Sequence, residues 1–343
     1  MLNQARARYN RSSRTLLIYL LPTFAYCFIL AVTFSLTACN TIDEFLFGSD
    51  IEITNETAEP GVVKFVALGD TGHGNDEQSQ VAKAIKKKCD QSGCDFVLLL
   101  GDNIYPAGVS SADDEQFQTK FETPYADIDI PFYPVLGNHD YGADGAGLEV
   151  NKSFYQIEYS RKSSKWVMPK HVYRFTKADV TFIALDTNAQ LFDVADEQEE
   201  MVPLWLDNAD STWKIAYGHH PYISNGRHGN AGSYDNLPFD VIANGKFVKR
   251  FADDIWCGKV DLYLAGHDHS RQWLESECKG TALVVSGAGS GTTVLPGNNP
   301  THFQSDKLGF LYVRIEGNTL TGEFIDTNGE TEFRHVINKQ ASP

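Results

Sequence analysis

Phe96-Val97-Leu98-Leu99-Leu100-Gly101-Asp102-Asn103-Ile104-Tyr105 is an unbroken apolar run that stops at a glycine and a carboxylate. A short run of this kind, closed by a turn residue, reads as a strand buried on both faces. The pattern recurs along the chain. Val62–Leu68 runs into Gly69-Asp70, and 131–136 into Gly137-Asn138-His139-Asp140. Trp213–Tyr217 runs into Gly218-His219-His220, and 261–265 into Gly266-His267-Asp268-His269. Helical spacing appears between the strands. Residues 78–88 put Val81, Ala82, Ala84 and Ile85 on one face, and further helices are expected around 197–208 and over 239–256. Two more strands, 172–175 and 180–185, flank Lys177-Ala178-Asp179. The tail is β-rich, with Ala282–Ser286, 310–315, 319–325 and a turn at Gly317-Asn318. This is an α/β chain.

In such sheets the carboxyl ends of parallel strands share one edge, and ligands bind there. Glycine lets each strand turn sharply at that edge. One Gly-Asp after a strand is only a turn. Five such ends gather carboxylates, an amide and several imidazoles at one rim, where mutual repulsion and lost solvation require a cation. Mixed oxygen and nitrogen donors around a shared carboxylate suit two hard-to-borderline metal ions about 3.5–4 Å apart.

Taken in order and spacing, Gly69-Asp70-Thr71-Gly72, Gly101-Asp102-Asn103-Ile104-Tyr105, Gly137-Asn138-His139-Asp140, Gly218-His219 and Gly266-His267-Asp268-His269 resemble the calcineurin-like metallophosphoesterases. More narrowly they resemble the purple acid phosphatases of the small, tartrate-resistant type. The resemblance covers about 62–330. It implies a four-layer αββα sandwich, two packed mixed β-sheets with flanking helices. Most of these phosphoesterases begin with Asp-x-His, whereas here His73 falls one position late; Tyr105, three residues after Asp102, stands where the purple acid phosphatases supply a phenolate.

The resemblance further implies an Fe(III) site of Asp70, Asp102, Tyr105 and His269, and a divalent site (Fe, Zn or Mn) of Asp102, Asn138, His219 and His267, with Asp102 bridging. His139 would be the general acid, Asp140 could orient it, and His228 would contact phosphate. Thr71 and His220 depart from the common tryptophan and tyrosine, which bears on substrate preference. The implied activity is hydrolysis of phosphomonoesters by a metal-bound hydroxide, with an acidic optimum. A phosphodiesterase or nucleotide hydrolase, or a protein phosphatase, would use the same metals. A surface lipoprotein that keeps only the fold is a more distant alternative. Arg227 has no counterpart in the pattern, and Gly287-Ala288-Gly289-Ser290-Gly291 lacks the Lys and helix of a nucleotide loop, so it reads as a turn near the site.

The 343 residues carry 29 Lys+Arg against 45 Asp+Glu, a formal charge of −16. Residues 1–38 hold Arg6, Arg8, Arg11 and Arg14 and no acid, so without them the charge is −20. That excludes a nucleic acid partner bound along its phosphates but not a small phosphorylated substrate. The arginines precede an apolar run that ends in Leu36-Thr37-Ala38-Cys39, which resembles a bacterial lipobox. Residues 1–38 are therefore expected to be a lipoprotein signal peptide, with Cys39 carrying the lipid that holds the protein to a membrane. An uncleaved spanning helix is the alternative. Either exports the rest, and Asn40 favours the outer membrane. Residues 39–60, with six acids and no base, read as a tether, and 61–343 as one catalytic domain. Cys89, Cys94, Cys257 and Cys278 then face an oxidising compartment. Three pairings are possible, and Cys89–Cys94 with Cys257–Cys278 is preferred because the first closes a short loop.

Overall fold

The structure, a computed structural model, describes residues 61–233 and 245–340, with the backbone of Ile51–Glu52. In chain order the strands are β1 (Ile51–Glu52), β2 (Val62–Leu68), β3 (Phe96–Leu100), β4 (Phe132–Val135), β5 (Tyr173–Lys177), β6 (Val180–Ala184), β7 (Trp213–Tyr217), β8 (Leu262–Ala265), β9 (Arg271–Leu274), β10 (Ala282–Ser286), β11 (Thr301–Ser305), β12 (Gly309–Glu316), β13 (Thr319–Asp326) and β14 (Thr331–Asn338). The α-helices are α1 (Asp76–Ser92), α2 (Asn151–Tyr159), α3 (Thr187–Leu191), α4 (Asp196–Asp207) and α5 (Gly245–Phe251).

One sheet runs β14-β13-β12-β2-β3-β4 and the other β1-β5-β6-β7-β8-β10-β9-β11. Both are mixed. β2, β3 and β4 are parallel neighbours in the first, as are β6, β7, β8 and β10 in the second. The inner faces meet through aromatic rings: Phe65 and Phe96 stand edge-to-face on Phe182 at 5.3 and 5.2 Å. Such edge-to-face pairs add about 0.5–1.5 kcal/mol each beyond the area they bury.

Helices cover the outer faces. α1 lays Val81, Ala82, Ala84 and Ile85 on the six-stranded sheet. Its start is fixed by Asn75, whose side chain accepts the Gln78 amide at 2.9 Å, and its end by Gly93. α4 packs Met201, Val202, Trp205 and Leu206 against the other sheet's outer face. The expected four layers are present.

Both preferred disulfides, Cys89–Cys94 and Cys257–Cys278, are formed. Three features differ from the sequence reading. The tether is not wholly outside the fold, because Ile51–Glu52 pairs with Phe175 and Thr176 at the edge of β5. The helix expected over 239–256 is an α-helix only at Gly245–Phe251, followed by one wider turn at Ala252–Trp256, and its first residues lie outside the described ones. β9, β11, β14, α2 and α3 were not anticipated. The expected signal peptide and Cys39 also lie outside the described residues. Among the described residues no helix is long and apolar enough to cross a membrane.

Candidate metal centre

The two sheets touch at the ends of their parallel strands. The Gly69 amide after β2 donates to Ser286 of β10 at 2.7 Å, and the His219 ring after β7 reaches the Leu100 carbonyl of β3 at 2.9 Å. Asp70, Asp102 and His267 each follow the glycine that ends a strand region, and each has left-handed backbone, φ 58°, 52° and 67°. Asp and His tolerate this region better than bulky residues, yet holding them there costs of order 1–3 kcal/mol apiece. Close packing explains two of the glycines. A Cβ on Gly101 would lie 2.6 Å from His219 Nδ1, and one on Gly137 would lie 2.2 Å from Asp102 Oδ1.

Each buried carboxylate is held by the backbone through one oxygen. Asp70 Oδ2 accepts the His267 amide and Asp102 Oδ1 the His139 amide, both at 2.9 Å. The other oxygens meet the remaining donors. Tyr105 Oη lies 3.1 Å from Asp70 Oδ1, 2.8 Å from Asp102 Oδ2 and 3.0 Å from His269 Nε2. On the far side of Asp102, His219 Nε2 is 3.4 Å from Asp102 Oδ2, 2.9 Å from Asn138 Oδ1 and 3.1 Å from His267 Nδ1. Asp70, Asp102 and His219 by themselves already present three ligand atoms within 4.8 Å of one another.

Counting protons shows what this arrangement requires. The Leu100 carbonyl can only accept, so His219 Nδ1 carries a hydrogen, and in the neutral ring that can ligate a metal Nε2 is a lone pair. Asn138 Nδ2 donates to the Gly145 carbonyl at 2.8 Å, which turns Oδ1 inward. A nitrogen lone pair therefore faces an oxygen lone pair at 2.9 Å. The single Tyr105 proton likewise faces two carboxylate oxygens and the His269 ring nitrogen. Electron-rich atoms this close, in a buried site, repel unless positive charge lies among them. The donor set fits two metal ions: hard oxygens and one imidazole on the Asp70 side, an amide oxygen and two imidazoles on the other, Asp102 between.

Titration points the same way. Burial first, then Asp102 and Asp70, push the Tyr105 phenol well above its usual range, so it ionises only against strong positive charge. Burial alone would raise the Asp70 carboxyl, but His269, His219 and Tyr105 outweigh it and hold it below the ordinary range. Burial, with His228 and other imidazoles adding, drives His267 well below normal, which keeps it neutral and able to ligate.

The other expected residues gather round this centre, with one correction. The His139 ring stands 4.4 Å from the Tyr105 ring, and its Nδ1 is 2.6 Å from the Pro106 carbonyl. Asp140 does not orient that ring. Its carboxylate is buried beneath the loops and accepts the amides of Asn103, Ile104 and Gly137 at 3.0, 3.0 and 2.8 Å, with Gln156 Nε2 at 2.8 Å. It ties the Asp102 loop to the Asn138 loop, and burial with the nearby Asp102 charge raises it to about 6. The His228 ring lies 4.0 Å from the His267 ring, its amide held by Asp268 at 3.0 Å. Arg227 points its exposure to solvent.

Sequence reasoning set His73 aside. The structure stacks its ring on Tyr105 at 4.0 Å and bonds its Nδ1 to Ser290 at 2.7 Å; Ser290 in turn donates to the Asp70 carbonyl. No spacing rule reveals this, because Ser290 is 217 residues away.

Comparison with known proteins accords with the geometry. Tartrate-resistant acid phosphatase type 5 of Sus scrofa is 29% identical over 328 residues, covering 83% of this chain and 89% of that protein. Purple acid phosphatase 4 of Arabidopsis thaliana is 29% identical over 297 residues, covering 79% and 82%. Among solved structures, GAP50, described as the anchor in the inner membrane complex of Plasmodium, has a TM-score of 0.65 at 23% identity, covering 81% of this chain and 89% of that one. At that identity it shows a shared fold. The family model for calcineurin-like phosphoesterases matches residues 63–271, more than half of the chain, and takes in all five strand-end motifs. The chain belongs to the calcineurin-like phosphoesterase family.

Proposed function

We propose that the chain hydrolyses phosphomonoesters as an acid phosphatase, with Asp70, Asp102, Tyr105 and His269 holding one metal ion and Asp102, Asn138, His219 and His267 the other. The observation that carries this is Asp102 Oδ2, set between Tyr105 Oη at 2.8 Å and His219 Nε2 at 3.4 Å with a full donor set on either side. Two cations there would supply charge for the phosphate oxygens and acidify a water. Tyr105 selects the metal on its side. A phenol so strongly disfavoured as an anion calls for Fe(III), with divalent Fe, Zn or Mn beside Asn138.

His139 is the proton donor. Its Nδ1–H rests on the Pro106 carbonyl, so the protonated ring carries its second hydrogen on Nε2, which it gives to the leaving alkoxide. Gly145 keeps that atom accessible, since a Cβ there would lie 2.7 Å from Nε2. The role requires the imidazolium form, which acid favours. His228 binds the phosphate from the His267 side, and Asp140 acts as a positioning residue through the two loops it joins. Export as a membrane-anchored lipoprotein completes the reading. Its supports are the basic and apolar leader, Leu36-Thr37-Ala38-Cys39, and two formed disulfides of the kind oxidising compartments sustain.

The deciding assay compares p-nitrophenyl phosphate and glycerol phosphate with bis(p-nitrophenyl) phosphate, ATP and a phosphopeptide, on protein of measured metal content. Monoesters turned over far faster than the diester, with the small ones at least equal to the peptide, is the expected result. A protein that cleaves only the diester or only the phosphopeptide overturns the monoester reading.

A further inference from the structure

A cavity of about 400 Å³ lies behind the loop that follows Asp140, walled by Tyr141, Gly147, Leu148, Val172 and Phe192 with Asp186 and His171. Its rim is unusually apolar. Leu148, Val150 and Val194, exposed by 58%, 56% and 69%, all line it and are three of the seven large apolar side chains that stand exposed among the described residues. Exposed apolar groups concentrated at one mouth mark a binding site rather than ordinary surface.

The polar group that would orient a ligand is His171. Ser153 Oγ spends its hydrogen on the Val150 carbonyl at 2.5 Å, so His171 Nε2, 2.8 Å from that oxygen, must donate to it. The other ring nitrogen, Nδ1, is then an acceptor, and it has no hydrogen-bond partner among the described residues. Phe154, edge-on at 4.8 Å, fixes the ring. Burial pulls His171 below its ordinary range, against Asp186 and Glu197, so the ring stays neutral. Those two carboxylates line the cavity and no Lys or Arg among the described residues does, which rules against an anion.

We propose that this cavity is a binding site for a small apolar molecule carrying one N–H or O–H donor, its body against Leu148, Phe192 and Val194 and its donor on His171 Nδ1. It is not the phosphate site. The two share a wall, since Gly145 of the same loop abuts the His139 ring while Gly147 faces the cavity.

Calorimetric titration of the full chain with indole and with benzofuran, which has the same shape and no donor, tests this without metal or substrate. Indole should bind saturably and about tenfold tighter than benzofuran, the worth of one hydrogen bond. His171→Phe, which keeps an aromatic ring against Phe154, should abolish that preference and leave benzofuran unchanged. Val194→Asp, at an exposed rim position that folding does not depend on, should weaken both. Equal binding of the two by the wild type, absence of saturable binding, or indifference to Val194→Asp would overturn the proposal.

Discussion

His139 commits one ring nitrogen to Pro106 and leaves the other for a proton, so its substitution should discriminate between leaving groups. A nitrophenolate departs unaided; an alkyl alkoxide does not. His139→Ala is expected to slow glycerol phosphate by about 10²–10⁴-fold, the range of a lost general acid, while p-nitrophenyl phosphate suffers much less. Steady-state rates on the two substrates, with metal content unchanged, check this; equal losses would make His139 a binding residue. Tyr105 makes a different prediction at the same scale. Its phenol is forced upward by burial and two carboxylates, so an iron-loaded wild type should show a visible absorption band that Tyr105→Phe abolishes. A colourless wild type with stoichiometric iron would remove Tyr105 from the ligand set.

Between elements, Glu323 of β13 is clamped by Lys88 of α1 at 2.7 Å and by Arg334 of β14. Burial would raise the Glu323 carboxyl, but these two cations outweigh it and hold it below the ordinary range. A carboxyl depressed in the folded state adds stability above its unfolded value, near pH 4.3, which is lost as pH falls through the folded value. Glu323→Ala should therefore cost about 1.5–3 kcal/mol at neutral pH, the worth of hydrogen bonds to charged groups. In urea titrations the variant and wild-type stabilities should converge only below about pH 4.

The elements also show how far sequence reaches. β3 was legible because its apolar run is unbroken and buried on both faces, and β2 and β7 because a single half-buried lysine interrupts an otherwise buried run. β11 and β14 alternate between half-buried and exposed positions and carry no such signal. β9 was hidden by Arg271, a wholly buried guanidinium satisfied by the Lys307 and Ile325 carbonyls and by Glu332, none of which is near it in sequence. The residues proposed as metal ligands lie together at the rim for the opposite reason. Each sits two to five positions after a strand's last apolar residue, so local order fixes its place at the rim. The contacts of Asp140 and His73 were not legible because their partners come from other loops.

For the whole molecule, the proposed export and lipid attachment at Cys39 rest on the negative charge, the two disulfides and the basic apolar leader. Cys39→Ser should release it in soluble exported form or leave an uncleaved precursor, as read by mass and membrane fractionation. An unchanged mass and unchanged membrane extraction would favour a spanning helix. The fold brings ligand candidates from both sheets to one rim, yet only Asp102 is proposed for both metal ions. Metal analysis of purified wild type beside Asp102→Ala therefore tests the account most directly. Two ions per chain in the wild type, with both lost or greatly weakened in the variant, is the predicted result. An active wild type without bound metal, or a variant that keeps both ions, would contradict it.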